Sequence, residues 1–256
     1  MELLREGAKP LGLTLSPKHL AAFEVYYQEL ASWNLRFNLT AVTGYEDVQR
    51  KHFLDSLSCI LALPRDPRAG GASAGIPDTV PLQVPSRPLW CLDVGSGAGF
   101  PGLPLKIMFP EVEMTLVEAT GKKAAFLRHM VEILELENVQ VLNSRVEDVG
   151  RMPQHRERYD LVLVRAVAHM CVLVEYCLPL CRVGGRMVAQ KGEDAEQEAL
   201  ESRQAIALLG GLLVEVKPVL LPDLSGSRYL VVADKVRKAP ESYPRRAGLP
   251  SKKPLC

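Results

Sequence analysis

The chain has 256 residues, of which 47% are hydrophobic and 24% are charged, and its formal net charge is +1. This composition is typical of a globular protein with one large domain, or with one domain and a smaller appendage. No apolar run approaches the roughly 18 residues that a membrane span needs. The first residues, MELLREGAKPLG, lack a hydrophobic signal segment, so we expect a cytoplasmic protein without membrane contact.

The first part of the chain is predicted to be helical. Ser16-Pro17 is an N-cap followed by a first-turn proline, and apolar residues then recur at helical spacing up to Leu30. The period breaks over residues 33–43, which we expect to form a loop, and a second helix is predicted from Tyr45 to about Leu61. Residues 1–64 are therefore expected to form a helical N-terminal extension.

A segment rich in Pro, Gly and Ala follows at residues 65–88 and shows no periodicity. Such a composition predicts a linker or a mobile loop.

After Leu89 the pattern changes to short apolar strands that alternate with helices. Strands of this kind are typical of a parallel sheet that helices cover on both faces. The predicted strands are Leu89–Val94, Met114–Glu118, Val139–Leu142, Tyr159–Val164 and Met187–Gln190, and the predicted helices are Leu103–Met108, Lys122–Leu136, Met170–Leu180 and Asp194–Leu209.

The domain is predicted to end in a different way. Leu212–Val219 and Tyr229–Ala233 are two strands whose connection is too short for a helical crossover, so they must form an antiparallel hairpin. An α/β domain with five βα units and such a hairpin resembles the class I, Rossmann-like methyltransferase fold, which has a mostly parallel seven-stranded sheet. We assign this domain to residues 89–235 and a basic, proline-containing tail to residues 236–256.

The glycine-rich segment LDVGSGAGFPG (residues 92–102) follows the first predicted strand. Glycines there allow a sharp turn and let a ligand lie against bare backbone. The spacing is G-x-G-x-G and differs from the dinucleotide fingerprint, since a phenylalanine occupies the place of the third glycine. The preceding acid favours a cationic ligand, and S-adenosylmethionine (AdoMet) is the candidate cofactor; the alternative is a tight turn that binds nothing. The expected contacts are Asp93, Gly95, Ser96 and Gly97.

Other candidate contacts lie at the ends of the next strands. Glu118 could accept hydrogen bonds from both ribose hydroxyls, or it could be a solvent-exposed acid. Val146 and Glu147 could wall the adenine, although Glu147 would also suit the first turn of a helix. Arg165 ends a buried strand and needs a partner, which could be a cofactor carboxylate, a phosphate or a structural salt bridge.

The string DVGSGAGFPGLPLKI resembles the RsmG (GidB) family of 16S rRNA guanine-N7 methyltransferases, whose loop runs GxGxGxPG. The resemblance covers nearly the whole chain, although the linker at 65–88 is longer than usual. It implies AdoMet contacts at Gly95, Phe100, Glu118-Ala119-Thr120, Val146-Glu147 and Arg165. Further matching blocks, in order, are Phe37-Asn38-Leu39-Thr40, Lys51–Ser56, Lys122-Lys123 before Phe126-Leu127, Lys191-Gly192, and Tyr243–Arg246 through Lys252–Leu255.

The reaction that the resemblance implies needs no catalytic base, because guanine N7 attacks with a lone pair. We therefore expect no catalytic side chain, only orientation in a water-poor pocket. The segment after the fourth strand reads RAVAHM, without the N-P-P-Y type loop used for exocyclic amines. His169 could be named a base, but a histidine at a helix start is the favoured interpretation.

The tail concentrates positive charge, with seven basic residues and one acidic residue from Lys235 onward. A charge run of this kind either contacts a polyanion or is a solubilising, frayed terminus. With the resemblance, we expect contacts to 16S rRNA or the small ribosomal subunit, no protein partner and a monomer. The candidate RNA contacts are Arg36, Asn38, Thr40, Lys51, His52, Lys191, Arg245, Arg246, Lys252 and Lys253.

Two groups of residues are interpreted as structural. Trp33, Phe37 and Phe53 could stack on bases, but we favour a place in the core. The cysteines show no C-x-x-C spacing, so we expect reduced thiols and neither a disulfide framework nor a metal site. They are Cys59, Cys91, Cys171, Cys177, Cys181 and Cys256.

Two alternative functions stay open at this stage. One is methylation of a small molecule or a protein, which predicts no affinity for ribosomal RNA. The other is an RNA-binding protein that holds AdoMet only structurally.

Overall fold

The computed structural model describes residues 1–63, 88–165, 168–221 and 226–256. Apart from Pro88, the linker predicted at residues 65–88 lies outside the described residues. Among the described residues, no helix combines the length and the apolar character that crossing a membrane requires.

The N-terminal extension begins with two helices, α1 (Glu2–Ala8) and α2 (Pro17–Phe37). The side chain of Ser16 accepts a hydrogen bond from the backbone N–H of His19 and so caps α2, as the sequence predicts. The predicted loop at residues 33–43 is wrong in its first part, because α2 continues to Phe37. Trp33 and Phe37 pack together against the core, which extends the apolar face by one turn.

The second predicted helix is confirmed over residues 45–62, although it changes its winding along its length. It consists of α3 (Tyr45–Val48), a π-helical turn (Gln49–Leu54), α4 (Asp55–Leu57) and a 3-10 turn (Ser58–Ala62). We refer to residues 45–62 as the second helical segment.

The central sheet has seven strands in the order β3-β2-β1-β4-β5-β7-β6. The first five strands are parallel, and β7 pairs antiparallel with both β5 and β6. The predicted mostly parallel seven-stranded sheet with an antiparallel hairpin is therefore confirmed. The strands are β1 (Trp90–Val94), β2 (Glu113–Val117), β3 (Val139–Leu142), β4 (Tyr159–Arg165), β5 (Cys181–Lys191), β6 (Gly211–Pro218) and β7 (Tyr229–Lys235).

The helices between the strands lie close to the predicted ranges. The predicted helix at Asp194–Leu209 is divided in two at Ser202, whereas α7 was not predicted. The helices are α5 (Gly102–Met108), α6 (Gly121–Ile133), α7 (Val146–Val149), α8 (Met170–Cys177), α9 (Ala195–Glu201) and α10 (Arg203–Leu208).

The core has two parts, one on each face of the sheet. Alternate residues of β4 point to opposite faces, so that Leu161 and Leu163 join one cluster and Val162 and Val164 the other. The first cluster also contains residues of α2, α5, α6 and the second helical segment, among which Phe53 is fully buried. The N-terminal extension thus completes one face of the domain.

The tail packs against the domain through α11 (Leu249–Lys252) and its flanking residues. Cys256 forms a disulfide with Cys171 in α8, with a Cα–Cα distance of 5.7 Å. The prediction that all six cysteines are reduced is therefore wrong for this pair. The two residues are 85 positions apart, and only the folding of the tail onto α8 brings them together. Cys59, Cys91, Cys177 and Cys181 are free and buried, as expected for small apolar side chains.

Candidate active site

The carboxyl ends of β1, β2 and β4 border a cavity of about 470 Å³, within the size range of small-molecule sites. Parallel strands direct their carboxyl ends to the same edge of the sheet, which is where ligands bind in open α/β folds. The N-terminal extension also contributes to the wall, through Leu39 and Thr40 in the loop after α2 and through His52 in the second helical segment. The cavity therefore lies between the glycine-rich loop and the N-terminal extension.

The glycine-rich loop presents bare backbone to this cavity. Gly95 and Gly97 have φ values of 66° and 60°, in the left-handed region that side chains rarely adopt. Within the described part of the chain, a Cβ added to Gly97 would have only the carbonyl oxygen of Gly95 within 4 Å, at 3.8 Å. Because Gly97 borders the cavity, such a methyl group would take ligand space, and the loop fits a ligand held close to the main chain.

Residues of the N-terminal extension hold the glycine-rich loop in place. Tyr26 in α2 donates a hydrogen bond of 2.6 Å to the carbonyl oxygen of Ala98. The ring of Phe100 stacks on Tyr26, with 5.4 Å between the ring centroids, and on His52, with 4.4 Å. No sequence pattern predicts this role for Tyr26, because its helical spacing is that of any core residue.

Glu118 follows β2, lines the cavity and is 7% exposed. One carboxylate oxygen accepts a hydrogen bond of 2.9 Å from the N–H of Gly97, and the other accepts one of 2.7 Å from the N–H of Thr120. Each oxygen keeps a second lone pair for a further donor. The acid therefore fastens the glycine-rich loop to the segment Glu118-Ala119-Thr120, all of which borders the cavity.

Asp93 differs from the prediction. It is fully buried, does not line the cavity, and accepts a hydrogen bond of 3.0 Å from the N–H of Gly102 at the start of α5. Burial raises the pKa of this carboxyl group to about 7. The expectation that Asp93 faces a cationic ligand is therefore wrong, because the side chain turns inward beneath the loop. Ser96, in contrast, borders the cavity, and its hydroxyl donates to the carbonyl oxygen of Asp93.

Val146 and Glu147 also border the cavity, at the start of α7. Glu147 is 3% exposed and accepts a hydrogen bond of 2.8 Å from the N–H of Gly248 in the tail. The alternative role as a first-turn helix acid is thus observed, together with a contact that holds the tail.

Arg165 lines the cavity at the end of β4, but its charge already has a partner. Its guanidinium donates hydrogen bonds of 3.0 Å to the carboxylate of Asp55 and to the carbonyl oxygen of Lys51. It also lies 5.1 Å from the centroid of the Phe100 ring. Of the partners considered for Arg165, the structure shows the salt bridge, which joins the sheet to the second helical segment.

His52 is 8% exposed and forms hydrogen bonds with Arg165 and Thr40, so it lies in the wall of the cavity and not on the outer surface, and its contact with RNA stays a prediction. Burial, together with the charge of Arg165, lowers the pKa of the imidazole to about 3. His52 is therefore neutral at physiological pH. Thr40 is half-buried and borders the cavity.

Several other residues that were predicted to contact RNA form ion pairs with acidic residues of the same chain. Lys51 lies 2.9 Å from Asp47, and Lys191 lies 2.7 Å from Glu198. Arg245 forms a bidentate pair with Glu175, which is completely buried, and so anchors the tail to α8. The remaining predicted residues are exposed: Arg36, Asn38, Arg246, Lys252 and Lys253.

His169 is the N-cap of α8 and accepts a hydrogen bond from the N–H of Cys171. The predicted helix-start role is confirmed. The predicted core roles of Trp33, Phe37 and Phe53 are also confirmed, since Phe53 is buried and the other two pack against the first core cluster.

Comparison with known proteins finds similarity along the whole chain. Residues 19–87 and 78–224 match the family described as rRNA small subunit methyltransferase G, GidB. A ribosomal RNA small subunit methyltransferase G from Roseiflexus sp. (strain RS-1) is 47% identical and covers 100% of both chains. The protein of that name from Dehalococcoides mccartyi (strain CBDB1) is 46% identical, with the same coverage. A solved SAM dependent methyltransferase from Aquifex aeolicus is 20% identical, with a TM-score of 0.46 over 59% of this chain and 84% of that chain.

Proposed function

The chain belongs to the rRNA small subunit methyltransferase G family and is an AdoMet-dependent rRNA methyltransferase, and we propose that it methylates N7 of a guanine in 16S ribosomal RNA. The observation that carries this proposal is the bare backbone at Gly95 and Gly97, which borders a cavity that is also lined by Glu118 and Thr40. The two ends of this cavity suit different ligands.

The end near β2 and β3 suits the nucleoside part of AdoMet. The free lone pairs of Glu118 can accept ribose hydroxyl groups, and Val146 offers an apolar wall beside the base. The left-handed glycines leave room for the amino-acid part of the cofactor. When bound, AdoMet supplies an electrophilic methyl group on a sulfonium.

The opposite end, between Phe100, Thr40 and Arg165, is left for the methyl acceptor. N7 carries a lone pair and no hydrogen, so none of the described residues has to remove a proton before transfer. The protein has to orient the two reactants and exclude water. The neutral His52 and the paired Arg165 agree with this role, since neither carries an unpaired charge into the site.

The RNA contacts that we propose are the exposed basic residues of the tail. Ser251 in α11 borders the cavity, and Lys252, Lys253 and the nearby Arg246 are exposed beside it. Lys and Arg at such a site can neutralise phosphates around a target nucleotide that is splayed into the cavity. We propose that the protein acts on RNA as a monomer in the cytoplasm.

The test uses small ribosomal subunits, and rRNA extracted from them, from cells that lack the gene. Incubation with the purified protein and AdoMet should produce 7-methylguanosine, measured by mass spectrometry of nucleosides. A 16S transcript in which 7-deazaguanosine replaces guanosine should accept no methyl group, because it has no N7. The proposal would be contradicted if the deaza transcript were methylated. It would also be contradicted if neither the subunits nor the extracted rRNA gained 7-methylguanosine.

A further inference from the structure

Two basic side chains of the described residues line the cavity without forming a salt bridge. Lys123 lies in the first turn of α6, and Arg145 is the N-cap of α7. Both border the cavity, where Lys123 is half-buried and Arg145 is exposed. Among the described residues, no acidic side chain forms an ion pair with either of them, and neither side chain donates a hydrogen bond. We refer to Lys123 and Arg145 as the cavity cations.

The third basic residue on the cavity wall, Arg165, is already paired. Its guanidinium donates a hydrogen bond of 3.0 Å to the carboxylate of Asp55. Lys51 and Lys191, which were predicted to contact RNA, also form ion pairs with acidic residues of the chain. Within the described ranges, the unpaired positive charge of the cavity wall therefore lies on the side of α6 and α7.

Two carboxylates border the same cavity, but their hydrogen bonds go to the backbone. Glu118 accepts hydrogen bonds from the N–H groups of the glycine-rich loop and of Thr120. Glu147 accepts one from the N–H of Gly248. Both acids are buried, whereas the cavity cations are more exposed, so an anion that approaches from the solvent meets the cations first.

The tail continues the row of basic residues at this end of the cavity. Gly248 in the tail is bound to Glu147, which is only two residues beyond Arg145. Ser251 in α11 borders the cavity and is followed directly by two exposed lysines. The cavity cations and the exposed basic residues of the tail therefore surround the same end of the cavity.

We propose that the cavity cations bind phosphate groups of the rRNA strand beside the target nucleotide. The inference rests on the proposed function and deepens it, since it states where the backbone of the substrate lies. When a nucleotide is splayed into a pocket, the phosphates on either side of it stay at the rim. Lysine and arginine bind such phosphates through charge-assisted hydrogen bonds. Together with the tail, they would hold the strand across this end of the cavity.

The cofactor offers the cavity cations no anionic partner at this end of the cavity. Arg145 directly precedes Val146, and Lys123 lies three residues after Thr120, so both are beside the walls that suit the nucleoside part of AdoMet. Adenine and ribose carry no charge at physiological pH. An RNA strand, in contrast, carries a negative charge at each phosphate. The unpaired cations therefore fit the RNA substrate better than the cofactor.

The test removes each charge separately and measures binding to 16S rRNA from cells that lack the gene, at several salt concentrations. At about 0.1 M salt, Lys123→Gln and Arg145→Gln should each lower the affinity about tenfold. Each should also reduce the slope of log affinity against log salt concentration by about 1, and the double variant by about 2. At about 1 M salt the variants and the wild type should bind equally, because counterion release no longer favours binding.

Lys122→Gln and Arg128→Gln are the matched controls. Both residues are exposed in α6 and lie outside the cavity wall, and each substitution removes the same charge as in the test variants. Their affinity and salt slope should stay close to the wild-type values. Losses in the controls equal to those in the test variants would show that only the net charge of the protein matters, and would overturn the inference.

Calorimetry with AdoMet in the absence of RNA separates a role in RNA binding from a role in cofactor binding. AdoMet affinity and the thermal midpoint should be unchanged in all four single variants. A loss of AdoMet affinity in Lys123→Gln or Arg145→Gln, with a wild-type salt slope, would assign the cations to the carboxylate of the cofactor. That result, or wild-type rRNA binding by the double variant, would overturn the inference.

The failure of the inference and the failure of the proposed function give different results. If the wild-type protein forms no 7-methylguanosine in rRNA, the proposed function fails. If it forms 7-methylguanosine but the double variant keeps the wild-type salt slope, only the role of the cavity cations fails.

Discussion

The hydroxyl of Tyr26 lies 2.6 Å from the carbonyl oxygen of Ala98 and joins α2 to the middle of the glycine-rich loop. Both residues are buried, with Tyr26 completely so. The N-terminal extension therefore supports the loop on which the cofactor site depends.

Tyr26→Phe removes this hydrogen bond and leaves a buried carbonyl without a partner. We expect a loss of about 1–3 kcal/mol in the free energy of unfolding and a weaker affinity for AdoMet. Thermal unfolding and calorimetry measure the two effects. Tyr27→Phe is the control and should change neither quantity, since among the described residues the Tyr27 hydroxyl makes only a long surface contact of 3.4 Å, with the carbonyl oxygen of Thr43. Unchanged AdoMet binding in Tyr26→Phe would contradict the supporting role.

Gly97→Ala should weaken AdoMet binding, because the new methyl group enters the cavity. The matched control is Gly12→Ala, since Gly12 has φ 74° and an added Cβ would have no atom of the described residues within 4 Å. Both variants should lose about 1–2 kcal/mol of stability from left-handed strain. Only the Gly97 variant should lose affinity in calorimetry, and equal affinities would show that ligand and loop are not in close contact.

His52 should make the stability depend on pH. Its pKa is about 3 in the folded protein, well below the ordinary value of 6.5, so the unfolded chain binds the proton more tightly. The contribution of His52 to the free energy of unfolding is fully present above pH 6.5 and is lost as the pH falls towards 3. The expected loss is about 2 kcal/mol between pH 7.5 and pH 5.

The comparison of wild type with His52→Gln isolates this contribution. Asp93 has a raised pKa, about 7, and its effect on stability has the opposite sign, but it is common to both proteins. The unfolding free energy of each protein is measured with denaturant at each pH. The advantage of the wild type over His52→Gln should decrease by about 2 kcal/mol from pH 7.5 to pH 5. Parallel curves would show that His52 titrates normally.

Arg245 and Arg246 are neighbours with different roles. Arg245→Met leaves the buried carboxylate of Glu175 unpaired and should cost about 3 kcal/mol or more of stability. Arg246 is exposed, so Arg246→Met should change stability by less than about 0.5 kcal/mol. Arg246→Met should also weaken rRNA binding and reduce the slope of log affinity against log salt concentration by about 1. An unchanged slope would remove Arg246 from the RNA surface.

The disulfide between Cys171 and Cys256 predicts four titratable thiols in the denatured, unreduced protein and six after reduction. Reduction should lower the free energy of unfolding by about 2–4 kcal/mol, because the denatured chain loses a cross-link. Cys256→Ser should show the lower stability with or without reductant. Six thiols without reduction would contradict the pairing.

The sequence by itself determined the sheet and the position of the cofactor loop. Buried parallel strands such as Tyr159–Arg165 are short apolar runs, and the short connection before Tyr229 leaves an antiparallel hairpin as the only solution. The glycine spacing places Gly95 and Gly97 at the end of β1 without any knowledge of the fold. These features depend on residues that are close together in the chain.

Only the tertiary structure decided which polar groups are available to a ligand. Asp93 and Glu118 both lie next to strand ends, yet one turns into the core and the other borders the cavity. Arg165 and Arg245 looked available for a phosphate, but Asp55 and Glu175, at least 70 residues away in sequence, pair with them. A charged or polar group pairs with a residue that the fold places next to it in space. The sequence around the group does not show which distant residue that will be.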